Sequence, residues 1–203
     1  MTISACLDFR RRVDELEALR SEAISMLAGG TPDRQKAIFM AEAIFFRLYR
    51  EYERFVETVF IRFACGWPAP SSNPVRTVLR VDDIARVEDI VRGEREFVDW
   101  GKPDIILERA NRYLEDGYPL AGVVPSFHSD LVNLNRIRNF IAHDSDSAAK
   151  GFAKVLSASL RTLPTSQIGA GEFLLMRGGR NNSYFLNYYS RRMIEFSTAI
   201  EIA

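Results

Sequence analysis

The stretch NRIRNFIAHDSDSAAKGF, residues 135–152, gathers Arg136, Arg138, Asn139, His143 and Asp144 within little more than two helical turns. His143 is one of only 2 histidines in the chain. A guanidinium presents a planar fork of donors that matches a phosphate. An imidazole is the side chain best placed to take and return a proton near neutral pH. An asparagine amide can hold either in position. Together they suit proton transfer at a phosphate ester. The plainer alternative is that a histidine near a helix C-terminus is a common capping choice.

On an ideal helix Leu131, Leu134, Ile137, Ile141 and Ala142 share one apolar arc, expected to face the core. Arg136, Asn139 and His143 follow one another at i, i+3 and i+7 as a polar stripe. Arg138 falls inside the apolar arc, where a charge must snorkel, find a partner or face a cleft. The geometry of a regular helix therefore puts Arg136, not Arg138, beside His143. The negative end of the helix and the following Asp144 both favour a cation at that point.

The elements that carry this stretch read as helical almost throughout. Leu7, Val13, Leu16, Ala23, Ile24 and Leu27 set a helical period over residues 5–28, closed by Gly29-Gly30. Thr31-Pro32 reads as a cap and first helical residue. A helix of some thirty residues follows, spanning roughly 50 Å and ended by Gly66 and Pro68. Its middle is apolar on more than one face (Ile44, Phe45, Phe46, Leu48, Tyr49, Tyr52, Phe55, Val56, Val59, Phe60), as in a central or shared helix. GWPAPSSNP, residues 66–74, is the clearest loop, and residues 75–81 read as a short strand or extended link. A short helix capped by Asp82 or Asp83 and another opened by Lys102-Pro103-Asp104 come next. GYPLAGVVP reads as turn-rich, with Ser126 or Ser129 capping the motif helix. Asp144-Ser145 breaks it, and a further helix runs to about residue 160. A short strand is expected at Phe173–Met176, then a last helix over residues 183–202. The expected fold is an all-α bundle of about seven helices with at most a minor strand, forming a single domain over 1–203.

The totals narrow the field. Formal net charge is +0, so the whole chain does not call for a polyanion, although local patches count for more than sums. Of the 27 basic residues 23 are arginine, a skew that high-GC coding explains in large part. Residues 82–117 carry 11 acids against 6 bases, and residues 118–203 carry 9 bases against 6 acids, so the half holding His143 is mildly basic. Cys6 and Cys65 offer neither a disulfide framework nor a C-x-x-C ligand pair. No metal-ligand cluster stands out, so no metal and no cofactor are expected. There is no signal-peptide core and no apolar run of transmembrane length, which predicts a cytoplasmic protein without membrane contact.

Arg138-Asn139-Phe140-Ile141-Ala142-His143 resembles the R-N-x-x-x-H signature of the HEPN superfamily, α-helical domains found in toxins of toxin–antitoxin pairs, phage-defence proteins and CRISPR-associated ribonucleases. R-I-R-N-F-I-A-H is similar to the bacterial subgroup in which I-A-H closes the motif helix. Arg50-Glu51-Tyr52-Glu53-Arg54-Phe55-Val56 resembles that subgroup's first core helix. The likeness covers about residues 35–160, aligns poorly over 66–125 and does not extend to the C-terminal segment. It implies a homodimer whose motif helices face one cleft. Arg138 and His143 would be the catalytic pair, Asn139 a polar helper and Glu53 an acid orienting the arginine, with Arg136 and Asp144 in support. RNA would be cleaved without metal, the ribose 2′-hydroxyl acting as nucleophile, and a toxin of this kind would have an antitoxin protein partner. The alternative is a non-catalytic helical module that binds a nucleotide or a partner protein.

Other stretches carry less. His128 could be a second base but reads as a loop residue before the motif helix. Arg10-Arg11-Arg12 could touch phosphate, yet a charge run on a helix is usually a solvated face. Gly169-Ala170-Gly171 and Arg177-Gly178-Gly179-Arg180 complete no phosphate-loop pattern. Tyr184, Phe185, Tyr188 and Tyr189 could stack bases, although aromatics at helical spacing more often form core.

Overall fold

A computed structural model describes residues 2–71, 73–81, 83–160, 168–178 and 182–203. The fold is all-α. The helices are α1 (Thr2–Asp14), α2 (Glu17–Ser25), α3 (Thr31–Ala64), α4 (Ile84–Arg92), α5 (Pro103–Tyr113), α6 (Leu120–Ala142), α7 (Asp146–Ser159), α8 (Ala170–Leu174) and α9 (Phe185–Ile202). Two-residue strands β1 (Arg177–Gly178) and β2 (Ser183–Tyr184) pair antiparallel, Arg177 opposite Tyr184. Among the described residues no helix is long and apolar enough to cross a membrane.

Local chemistry accounts for many of the boundaries. α3 is 34 residues long, about 51 Å at 1.5 Å per residue. It stops where Gly66 takes φ +75°. The Gly66 N–H donates to the Phe63 carbonyl and the Trp67 N–H to the Arg62 carbonyl, the paired bonds of a glycine-ended helix. Asp83 caps α4 by accepting from the Arg86 N–H at 2.8 Å, and Gly93 at φ +63° ends it. The other proposed cap, Asp82, lies outside the described residues. Pro103 opens α5, and Ser145 caps α7 by accepting from the Ala148 N–H at 3.3 Å.

Three expectations need correction. The helix read over residues 5–28 breaks at Glu15-Leu16, and Leu7 on its expected apolar face is 56% exposed; Val13 and Ala23 are buried as expected, joined by Ala5, Cys6 and Phe9. Of the two readings of residues 75–81 the extended link holds, with one isolated bridge from Thr77 to Leu114. α6 begins at Leu120, well before Ser126, and carries Pro125 inside it. Burial of Leu120, Val123, Val124 and Phe127 along this turn outweighs a proline that local propensity alone would place outside a helix. Phe173 and Leu174 belong to α8, not to a strand. There the Glu172 carboxylate accepts from the Gly169 N–H at 3.0 Å, and the Glu42 carboxylate from the Gly171 N–H at 2.9 Å.

The chain folds into two compact units. The first comprises Met1–Arg12, Glu51–Val132 and Met193–Ala203; the second comprises Val13–Arg50 and Asn133–Arg192. In the first unit Phe9 stacks on Phe55 at 4.9 Å, and Phe196 meets both Tyr52 (5.8 Å) and Phe127 (5.5 Å) edge-on. The Arg10-Arg11-Arg12 run is not a uniformly solvated face: Arg10 pairs with Glu201, and Arg12 with the buried Glu51 at 2.7 Å. Cys6 is fully buried, and burial, helped by Glu201, pushes its thiol up to about 11. The thiolate is the reactive form, so Cys6 should stay unmodified by a thiol reagent at pH 8 until denaturant is added. Labelling of Cys65→Ser protein, read by mass spectrometry, checks this; rapid native labelling would contradict it.

In the second unit Phe173 is the hub. Its ring lies 4.4 Å from Phe185, 5.7 Å from Phe152 and 6.5 Å from Tyr189. Gly171 lets α8 press on α3, because a Cβ there would strike the Ile38 carbonyl oxygen and meet Ile38 Cγ2 at 2.7 Å. Gly171→Ala should therefore destabilise the fold by about 1–3 kcal/mol, the usual cost of overpacking. A denaturation midpoint equal to that of the parent chain would show that the contact relaxes freely.

Candidate functional site

The polar side of α6 ends the second unit's share of that helix. Leu134 and Ile137 are buried as expected, Ile141 is half-buried and Ala142 is exposed. The helix stops at Ala142, and the His143 N–H makes the closing bond to the Asn139 carbonyl at 2.9 Å. His143 is thus the first residue off the helix. Its side chain is exposed and stands with Nε2 3.5 Å from Nη1 of Arg138. With Nε2 unprotonated this is a hydrogen bond; with Nε2 protonated two donors face each other.

Arg138 is held from several sides. Its Nη1 also donates to Asn139 Oδ1 at 3.0 Å. Its guanidinium carbon lies 5.8 Å from the Phe46 ring centre and 5.9 Å from that of Tyr49, both on α3, within cation–π reach. This accounts for its place in the apolar arc: the guanidinium itself lies over the two aromatic faces and reaches the helix end. Arg138 Nε is buried without a hydrogen-bond partner.

No known protein family, curated protein or solved structure matches this chain.

A line of amides anchors the cluster to the core. Asn139 Nδ2 donates to Asn135 Oδ1 at 3.0 Å, and Asn135 Nδ2 donates to the Tyr49 hydroxyl at 2.8 Å. Tyr49 is fully buried. Each amide spends its oxygen on one neighbour and its nitrogen on the next, so both flips are specified by the network. Asn135, Tyr49 and Phe46 were absent from the sequence-derived site. Asn135 had a signal, being four residues before Asn139 on the same face; the two aromatics are brought in only by packing against α3.

Arg136 is half-buried, with Nη1 3.4 Å from Asn133 Oδ1 and its stem against Gly151 of α7. Asp144 is exposed and makes no ion pair with a described residue. Glu53 is half-buried on α3 in the first unit. His128 is not a loop residue: it lies within α6, in the first unit, and its Nε2 is 3.0 Å from Asp104 Oδ1. Phe185 and Tyr189 are core, while Tyr184 takes the Arg177 guanidinium over its ring at 4.6 Å. Gly179, Arg180 and Asn181 lie outside the described residues. Among the described residues no three His, Cys, Asp or Glu side chains are grouped as metal ligands.

Proposed function

We propose that this chain is a metal-independent endoribonuclease of HEPN type, acting as a homodimer through the exposed end of α6. The observation that carries the reading is the convergence of Arg138, Asn139 and His143 at that end. In the proposed reaction a base removes the ribose 2′-hydroxyl proton and the 2′-oxygen attacks phosphorus. The 5′-oxygen leaves with a proton from an acid, giving a 2′,3′-cyclic phosphate and a 5′-hydroxyl. One exposed imidazole serves one proton transfer. A second copy related by two-fold symmetry supplies another, with a second guanidinium to stabilise the crowded phosphate. RNA is the partner in this reading, and a toxin or phage-defence role with a protein antitoxin fits such an activity.

The test is incubation of the purified full chain with labelled RNA in excess chelator, with the product ends mapped. Cyclic phosphate ends and sedimentation as a dimer are expected. Intact RNA, or 5′-phosphate products that vanish with chelator, would defeat the proposal. Intact RNA together with a nucleotide-dependent rise in melting temperature would favour the binding-module alternative.

A further inference from the structure

A second cluster of arginines lies in the first unit, well apart in sequence from the α6 motif. Arg92, Arg95, Arg109 and Arg112 line a cavity of about 460 Å³, together with Glu94 and Tyr113. Arg109 sets this cavity apart. The residue is only 4% exposed, its Nε is buried without a hydrogen-bond partner, and its guanidinium makes no hydrogen bond or ion pair with a described residue. A buried charge left uncompensated is among the costliest features a fold can carry. A native chain that keeps one facing a cavity is built to receive an anion there.

The surroundings sharpen the class of anion. Nearby acids are drawn off by the rim: Asp89 pairs with Arg92, and Glu108 lies 3.9 Å from Arg95. Arg112 has no acid partner among the described residues and places its guanidinium 5.8 Å over the Tyr113 ring. The Tyr113 hydroxyl donates to the Ile90 carbonyl at 3.2 Å, which fixes that ring as a wall. Glu94, also on the lining, is the acid that the cationic set must outweigh. Several guanidinium forks converging on one space match a phosphate dianion better than a single carboxylate, because each fork offers paired donors to tetrahedral oxygens. The cavity falls in the size range of small-molecule sites and exceeds what a bare phosphate would fill.

We infer that this cavity is a binding site for a small organic phosphate, with Arg109 as the inner anchor and Arg95 and Arg112 as outer clamps. The site is independent of RNA cleavage at His143, so either can fail alone. The overall acid excess of residues 82–117 hid it.

The experiment is calorimetric titration and thermal melting of the full chain with ADP and, separately, with inorganic phosphate, all at matched ionic strength. A saturable ADP response is expected, with phosphate binding more weakly. Equal binding of the two would identify the free anion as the ligand of the same site. Arg109→Met keeps the stem and removes the charge. It should melt no lower than the parent without ligand, and its ADP affinity should fall about 30-fold or more. Arg112→Ala, an exposed position, carries the same test if Arg109→Met fails to fold. Absence of any saturable response to either probe, or undiminished ADP binding by these variants, would overturn the assignment. Displacement of ADP by an RNA oligomer at comparable phosphate concentration would overturn the small-ligand reading as well.

Discussion

Replacing His143 with alanine should lower RNA cleavage by about 10²–10⁴-fold, the usual worth of a general acid or base. The imidazole is exposed and its backbone alone closes the helix, so the fold should be unaffected. Arg138→Ala should cost about 10²–10³-fold, the range for removing one group that stabilises transition-state charge. Arg138→Lys should recover little, since an ammonium cannot reproduce the fork that bonds Asn139 and reaches toward His143. Arg136→Ala is the control: its side chain turns toward Asn133 and Gly151, and a change of no more than a few-fold is expected. Single-turnover cleavage rates on the four variants decide the matter. Equal losses at Arg136 and Arg138 would refute the assignment of roles.

Phe173→Ala should destabilise the protein by about 3–5 kcal/mol, the range for emptying an aromatic site in a packed core. The ring is fully buried and in contact with three other aromatic rings, so the vacated space has rigid walls. For a chain of this size the melting temperature should drop by roughly 6–20 °C. Phe39→Ala offers the contrast, because Phe39 is 74% exposed and its loss should change stability by less than about 0.5 kcal/mol. Chemical denaturation of both variants, compared at equal slope, separates them. Similar midpoints would mean that the aromatic cluster does not organise the second unit.

What could be read from the residues depended on how local the controlling interaction is. Helix ends set by one glycine, one proline or one capping side chain were legible, as at Gly66, Asp83, Pro103 and Ser145. The start of α6 was not, because Gly122 and Pro125 are local breakers overruled by burial of Val123, Val124 and Phe127. The start of α8 was missed for a similar reason: Glu42, far away in the chain, supplies one of the carboxylates that hold it. The same division runs through the candidate site. Arg138, Asn139 and His143 were visible as a spacing, yet an ideal helix paired His143 with Arg136. Leaving the helix after Ala142 brings the imidazole beside Arg138 instead, and no periodicity contains that turn. Phe46 and Tyr49 entered through packing alone, and Arg109 was masked by the acids around it in sequence.

The two units interleave along the polypeptide, with exchanges at Arg12/Val13, Arg50/Glu51, Val132/Asn133 and Arg192/Met193. All four exchanges fall inside helices, α1, α3, α6 and α9. No single cut in the chain therefore separates the two units, and a protease acting at an exposed loop releases neither intact. Deletion mapping of this gene would report lost folding in the guise of lost activity. Its functions have to be dissected by single-residue exchange in the complete polypeptide.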